Sequence, residues 1–133
     1  MRYELTKDLE TGNIFIDDEH RQLLKAVNDL LDACDKGEGR DSVQKTLFFL
    51  TNYVKNHFAN EERLQQKSSY PNYTSHKAFH DKYRQDLEGM AAKLNPQNIS
   101  VGDLTALNHQ IGILVSHIRT EDKKLGQFLQ KNK

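Results

Sequence analysis

The sequence is poor in the residues that cross-link or interrupt a folded chain. Of its 133 residues, one is cysteine, two are proline and none is tryptophan. A single cysteine, Cys34, excludes an internal disulfide framework and any metal site built from several thiolates. A metal site in this chain must therefore use nitrogen and oxygen ligands.

The chain also lacks an excess of either charge, since 19 Lys and Arg residues balance 19 Asp and Glu residues. A neutral protein has little attraction for nucleic-acid phosphates or anionic lipid, so we expect no nucleic-acid partner. The longest strongly apolar run, Leu47–Leu50, is far too short to cross a membrane. Residues 1–10 contain no apolar stretch typical of a secretory signal, and we expect a cytoplasmic location.

Apolar residues recur at alternating spacings of three and four, which is typical of amphipathic helices. The length fits a single domain, residues 1–133. An extended N-terminal arm is predicted to contain Ile14, Phe15 and Ile16. The pattern then predicts four helices, at about 17–37, 41–66, 72–94 and 100–130. Their short connections predict an all-α fold, an antiparallel up-down-up-down four-helix bundle.

Two of the predicted helices begin at residues that commonly cap helices. Asp41 or Ser42 is expected to cap the second helix. Ser100 with Asp103 resembles a capping box at the start of the fourth helix, because each side chain can accept from the backbone of the other residue. These signals support the predicted boundaries.

Several ionisable residues occupy the apolar stripes, where the pattern predicts burial: His20, His57, Glu61, His76, His80 and Asp122. A buried carboxylate must be paired, protonated or bound to a metal ion, and no Lys or Arg lies on these stripes. An antiparallel bundle brings all these positions to one end, together with His117. So many nitrogen and oxygen donors exceed the needs of one zinc ion, which favours two metal ions that share bridging carboxylates.

Each histidine has a simpler interpretation when it is considered alone. A lone histidine on an apolar stripe, such as His20, is more often a hydrogen-bonded core residue. Two histidines one turn apart, such as His76 and His80, also occur on solvated helix faces. The convergence of all the donors at one end favours the metal site over these readings. Three further polar residues are predicted to be exposed to solvent: Glu19, Glu62 and His109.

The spacing between His117 and Asp122 does not fit a regular α-helix. Five residues at about 100° each place the two side chains about 140° apart. Both can point inward only where the helix is locally distorted, so we predict a π-bulge between them. Glu121, four residues after His117, is the competing ligand in a regular helix.

The ordered motifs resemble the hemerythrin family, and its bacterial members in particular. The matching segments are Ile16-Asp17-Asp18-Glu19-His20, His57-Phe58-Ala59-Asn60-Glu61-Glu62, Tyr70-Pro71 with His76-Lys77-Ala78-Phe79-His80, and His117-Ile118-Arg119-Thr120-Glu121-Asp122. The match runs from about Ile14 to Phe128. Each motif is weak alone, but the ordered set with its five-residue His-to-Asp spacing is highly specific.

The resemblance implies a non-haem di-iron centre that binds O2 reversibly and is not an enzyme. One iron ion is implied to bind His76, His80 and His117. The other is implied to bind His20 and His57, and to keep an open position for O2. The bridging ligands are implied to be Glu61, Asp122 and a solvent-derived oxo or hydroxo group. Candidates for an apolar O2 pocket, with ordinary core packing as the alternative, are Leu23, Leu24, Leu114 and Ile118.

Two residues near the implied ligands have roles that the sequence leaves open. Gln65 lies one turn after Glu61, where bacterial relatives commonly have an apolar residue. We expect its amide either to hydrogen-bond a bridging carboxylate or to admit water. Tyr53, one turn before His57, is expected either to donate a hydrogen bond near the metal site or to satisfy its hydroxyl elsewhere.

Three uses of O2 binding are compatible with the sequence: storage, delivery and sensing. Sensing requires a signalling partner, or a fused output domain if the chain is a fragment. The alternatives are a di-iron oxidase or peroxide-handling enzyme, and a metal-storage or zinc-bound bundle. Ferritin-like di-iron enzymes use two Glu-x-x-His pairs, which this chain lacks, and zinc gives no visible colour.

Overall fold

The computed structural model describes Thr6, Lys7 and residues 9–131. This part of the chain is helical apart from short connections, and it contains no strand. Its helices in chain order are α1 (Ile14–Asp35), α2 (Gly39–Lys67), α3 (Tyr73–Lys93), α4 (Val101–His117) and α5 (Lys123–Lys131). A π-helical turn, Ile118–Asp122, joins α4 to α5, so these segments form one continuous fourth helix. The predicted all-α four-helix bundle is confirmed.

Contacts between helix ends show that the helices alternate in direction. Nδ1 of His57 in the later half of α2 lies 3.1 Å from a carboxylate oxygen of Glu19 near the start of α1. Nδ1 of His80 in α3 lies 3.0 Å from a carboxylate oxygen of Glu62 near the end of α2. His117, at the end of α4, meets the first turn of α3. One end of the bundle therefore gathers the start of α1, the ends of α2 and α4, and the start of α3.

Helix α1 begins earlier than predicted because Asn13 caps it. The Asn13 side chain accepts hydrogen bonds from the backbone N–H groups of Phe15 and Ile16. The prediction that Ile14, Phe15 and Ile16 belong to an extended arm was wrong, since they form the first turn of α1. Ile16 is buried there, whereas Ile14 and Phe15 are exposed.

A tight turn connects α1 to α2. Helix α1 ends in a Schellman motif, in which Gly37 adopts a φ of +76° and the Glu38 N–H donates to the Ala33 carbonyl at 2.7 Å. The chain enters α2 immediately afterwards, with Glu38 as the N-cap residue and without a side-chain cap. The expected caps at Asp41 and Ser42 were therefore wrong, because both residues already lie inside α2.

The fourth helix has the predicted start and a buried inner face. The capping box of Ser100 and Asp103 is present, with both reciprocal hydrogen bonds formed. Leu107, Ile111 and Leu114 of α4 pack in the main hydrophobic core with residues of the other three helices. Among the described residues, no helix is long and apolar enough to cross a membrane.

The segment before α1 packs against the start of α1 and against α5. The Asp17 carboxylate in α1 accepts hydrogen bonds from the backbone and hydroxyl of Thr11 and from the backbone of Gly12, at 2.8–3.2 Å. On the other side, Gly126 of α5 approaches Thr11 so closely that a Cβ there would lie 2.0 Å from the Thr11 carbonyl oxygen. The rest of the predicted arm, residues 1–5 and 8, lies outside the described part.

This close approach leaves no room for a side chain at Gly126. We expect Gly126→Ala to lower the free energy of unfolding by about 1–2 kcal/mol, because steric strain exceeds the roughly 1 kcal/mol that alanine gains in a helix. Urea unfolding measures the change. Gly112→Ala is the control, since a Cβ at Gly112 meets no atom within 4 Å, and it should raise stability by up to about 1 kcal/mol. Equal effects of the two substitutions would contradict the tight packing.

Candidate metal centre

All the predicted ligand residues converge at one end of the bundle core. Helix α1 supplies His20, α2 supplies His57 and Glu61, and α3 supplies His76 and His80; His117 ends α4 and Asp122 ends the π-helical turn. Each of these side chains is buried, with 0–5% of its residue surface exposed. The four-residue spacings on α2 and α3 place each pair on one helix face, so both residues point into the same space.

The two carboxylates divide their oxygens between two groups of histidines. Glu61 Oε2 lies 3.2 Å from His57 Nε2, whereas Glu61 Oε1 lies 3.2 Å from His80 Nε2 and 3.5 Å from His76 Nε2. A carboxylate that faces nitrogen ligands on both sides is arranged to bridge two cations.

Asp122 repeats this arrangement from the opposite side of the core. Its Oδ2 lies 3.0 Å from His20 Nε2, and its Oδ1 lies 3.0 Å from His117 Nε2 and 3.1 Å from His76 Nε2. His76, His80 and His117 thus form one group with the two carboxylates, and His20 and His57 form a second group with the same carboxylates. The second group has one donor fewer, which leaves more room for an external ligand.

The π-helical turn explains how both His117 and Asp122 reach the core. The turn Ile118–Asp122 widens the helix where the five-residue spacing requires it, so the predicted π-bulge is confirmed. Asp122 is fully buried, whereas the Glu121 side chain is 41% exposed and pairs with Lys124. The structure therefore places Asp122, and not the competing Glu121, among the clustered donors.

The donor atoms fit metal ions better than they fit one another. In the described part of the chain, the buried Nε2 atoms of His57 and His80 and both oxygens of Glu61 have no hydrogen bond. They lie close together, but their directions do not suit hydrogen bonding. Buried polar atoms without partners are costly, and a cation placed among them would satisfy nitrogen and oxygen lone pairs at once. The donor set is therefore suited to cations.

The two buried carboxylates depend on positive charge beside them. Burial and Asp122 both raise the pKa of Glu61, but the attraction of His57 and His76 outweighs them, so that this pKa is lowered overall. Burial lowers the pKa of His76, yet the nearby carboxylates of Asp122 and Glu61 raise it to about 9. Both carboxylates thus stay ionised only with positive charge beside them, which imidazolium groups or metal ions can supply.

Two residues that we expected to be solvated are part of the site. Glu62 Oε2 lies 3.0 Å from His80 Nδ1, and its side chain is only 15% exposed. Glu19 Oε1 lies 3.1 Å from His57 Nδ1. The prediction of solvated side chains was wrong because each carboxylate reaches the outer nitrogen of an inward-facing imidazole. The Glu62–His80 contact is a hydrogen bond of the kind that orients a histidine ligand, whereas Glu19 lies near His57 Nδ1 without hydrogen-bond geometry.

Aromatic rings that the sequence analysis did not single out fix two imidazole planes. The Phe58 ring stacks on His80 with centroids 3.7 Å apart, and the Phe79 ring stacks on His117 with centroids 3.9 Å apart. Phe58 directly follows His57 and Phe79 directly precedes His80, so their positions beside histidines were the available signal. Stacking restricts ring rotation and so helps to hold the Nε2 atoms inward.

The remaining predicted residues are placed as follows. Tyr53 stacks on His57 with centroids 5.2 Å apart, and its hydroxyl donates to the backbone oxygen of Glu19. Gln65 is fully buried, and His109 is exposed, as expected. The four proposed pocket residues are all buried in the main core: Leu23, Leu24, Leu114 and Ile118.

The outer carboxylate pairs lead to a direct prediction for metal affinity. Glu62→Ala should weaken metal binding by about 10–100-fold, because His80 loses the partner that fixes its orientation. Competition with a chelator of known affinity measures the change. Glu88→Ala, which removes an exposed carboxylate from α3, is the matched control and should leave the affinity unchanged. Equal affinities for the two variants would mean that Glu62 does not support the site.

Comparison with known proteins agrees with this geometry. The family described as Hemerythrin HHE cation binding domain matches residues 11–129. A bacteriohemerythrin from Methylococcus capsulatus is 34% identical over 119 residues, covering 86% of both chains. A myohemerythrin from Theromyzon tessulatum is 30% identical over 103 residues, covering 75% of this chain and 80% of that protein. A bacteriohemerythrin from Pseudomonas aeruginosa is 26% identical and covers 94% of this chain.

The family match extends over nearly all of the bundle and includes every residue of the buried donor cluster. The relatives also match over most of their own lengths, so the similarity is not confined to one motif. The chain therefore belongs to the hemerythrin family and is of its bacterial type.

Proposed function

We propose that this protein binds O2 reversibly at a non-haem di-iron centre held by the clustered histidines and carboxylates. The observation that carries this proposal is the division of two buried carboxylates between a group of three histidines and a group of two. This asymmetry suits two ions with different numbers of protein ligands. It leaves the ion of the two-histidine group able to accept an external molecule.

When bound, a pair of iron ions would supply the electrons that reversible O2 binding requires. Glu61 and Asp122 would hold the two ions at a fixed separation, because each places one oxygen toward each group of histidines. Glu62 would keep His80 oriented by a hydrogen bond at Nδ1, and the Glu19 carboxylate would lie beside Nδ1 of His57. A rigid donor set of this kind reduces rearrangement of the site when its ligand binds and leaves.

The surroundings of the two-histidine group are proposed to exclude water. Leu23 and Leu24 follow His20 by about one turn of α1, while Leu114 and Ile118 flank His117 on the fourth helix. All four are buried in the core, with 1–3% exposure. Apolar side chains of this kind would supply no proton to a bound ligand, which favours reversible binding over turnover.

We propose that O2 binding serves storage, delivery or sensing. Sensing would require a signalling partner. A second candidate function is a di-iron oxidase or peroxide-handling activity. One observation favours it. The buried amide of Gln65, one turn beyond Glu61, is a polar group, whereas apolar surroundings would favour reversible O2 binding.

The visible spectrum of anaerobically reduced protein, with iron counted per chain, tests the proposal. We expect two iron ions per chain, new charge-transfer bands on addition of O2, and loss of those bands when O2 is removed. Two iron ions with one irreversible conversion would instead favour the oxidase. A colourless protein without iron would contradict both and would favour a zinc-bound or structural bundle.

A further inference from the structure

An open groove on the bundle surface reaches one member of the buried donor cluster. This α3–α4 groove has a volume of about 520 Å³, and its walls include Phe79 of α3 and Ile113, Ser116 and His117 of α4. His117 is 5% exposed, the largest value among the clustered donors. The groove therefore connects solvent directly with a donor of the metal centre.

Two grooves of similar size do not make this connection. Between the first turns of α1 and the last turns of α2, a groove of about 580 Å³ is lined by Glu19 and Asn60 and by no residue of the cluster. A groove of about 510 Å³ farther along the same two helices, beside Leu30 and Phe49, also lacks a cluster residue. Contact with a donor, rather than size, thus distinguishes the α3–α4 groove.

Phe79 covers His117 where this residue meets the groove. The half-buried Phe79 ring lies nearly parallel to the imidazole, at 5°, with centroids 3.9 Å apart. Nε2 of His117 points inward and lies 3.0 Å from Oδ1 of Asp122. To offer this nitrogen to an ion in the groove, the imidazole must turn outward, and the Phe79 ring must separate from it.

The backbone of the fourth helix is irregular at the same point. His117 is the last residue of α4, and the π-helical turn begins at Ile118. The Ile118 N–H is shared there between the carbonyls of Leu114 and Val115. Since π-helical turns occur mostly at functional sites, this change of helix type lies where movement of His117 would be required.

We propose that metal ions enter and leave the centre through the α3–α4 groove, with His117 as the first donor and Phe79 as a gate over it. His117 replaces one water ligand of a hydrated ion, and return of the imidazole toward Asp122 delivers the ion to the carboxylates. This inference rests on the proposed function, because it takes the cluster to hold metal ions. It concerns the rates of uptake and release, which a route changes together.

Ser116→Trp tests the groove without changing a donor. Ser116 is exposed, and helical side chains lean toward the N-terminal end, so an indole there lies along the groove toward Ile113. Ser75→Trp is the matched control, because Ser75 is also exposed and directly precedes a histidine of the cluster, but does not line this groove. We expect uptake and release of ferrous iron to slow about tenfold in Ser116→Trp and to keep the wild-type rates in Ser75→Trp.

Phe79→Ala tests the gate in the opposite direction. Loss of one stacked ring should speed both uptake and release by about three- to tenfold. Phe58→Ala removes the corresponding ring from His80, but Phe58 is fully buried and does not line the groove, so this variant should speed release alone. Faster uptake therefore separates a gate from a residue that only packs against a ligand.

Both rates are measured without O2. Uptake by the metal-free protein is followed as iron retained after rapid desalting. Release is followed as the coloured ferrous complex of a chelator, at concentrations where the rate no longer depends on the chelator. Wild-type uptake in Ser116→Trp, or equal slowing in Ser116→Trp and Ser75→Trp, overturns the route, and wild-type uptake in Phe79→Ala overturns the gate.

The same proteins distinguish failure of the route from failure of the proposed function. Reversible O2 binding with iron uptake that is independent of the groove overturns only the route. Irreversible oxidation by O2 with uptake that depends on the groove overturns only the proposed reversible binding. A wild-type chain that takes up no iron overturns both.

Discussion

Asp122→Ala is expected to reduce metal binding from the proposed two ions per chain to at most one. Asp122 places Oδ2 against His20 and Oδ1 against His117, so its removal takes one ligand from each group at once. Among the described residues, Glu61 is then the one carboxylate that faces both groups, so two bound ions would lose half of their protein bridge. Metal analysis after anaerobic dialysis against ferrous iron, with wild type in parallel, measures the stoichiometry.

Glu121→Ala is the matched control for this experiment. It removes the neighbouring carboxylate, which pairs with Lys124 at the surface, and should leave two ions per chain. The opposite pattern, with loss of metal in Glu121→Ala and none in Asp122→Ala, would mean that the fourth helix is regular in solution. The pair of variants therefore tests the π-helical turn as well as the ligand.

The position of this turn could be predicted because it follows from helix geometry alone. Five residues between two inward-facing donors are incompatible with a regular helix, whatever surrounds them. The burial of His57, Glu61 and His80 was predictable for a similar reason, since each replaces an apolar residue in a continuous stripe.

Glu19 and Glu62 could not be predicted in this way. Both lie beside the apolar stripe, where a carboxylate is equally compatible with solvent and with a buried partner. Their contacts depend on the rotation of two imidazole rings, which is decided by stacking on residues such as Phe58. That information exists only after the helices have packed.

The start of α1 was misplaced because two local signals compete. Three consecutive apolar residues, Ile14 to Ile16, are typical of an extended segment, whereas Asn13 before them is a common N-cap. The cap prevails because Ile16 and Asp17 gain buried positions in a helix, where Asp17 also binds the backbone of Thr11. Packing against the rest of the chain, rather than local preference, decides this boundary.

Metal loading is expected to stabilise the fold strongly and to raise Tm by about 15–25 °C. The metal-free core contains Glu61 oxygens and imidazole nitrogens that have no hydrogen-bond partner among the described residues, and burying such atoms opposes folding. A free ion at 100 times its Kd stabilises the folded state by about 2.7 kcal/mol per site. In a chain of this length each kcal/mol corresponds to about 3–5 °C, so two sites account for the expected rise. Thermal unfolding with and without a chelator measures it.

Magnesium at the same concentration is the control, because this small ion prefers oxygen ligands and should not shift Tm. Repeating the measurement with Asp122→Ala separates binding at the buried cluster from general effects of metal on the protein. The rise in Tm on metal loading should fall to half or less in this variant. Ions that bind without raising Tm would have similar affinity for the unfolded chain, and the buried cluster would then not be their site. A rise in Tm that is reduced in Asp122→Ala but not in Glu121→Ala would instead show that metal binding in the bundle core is coupled to folding.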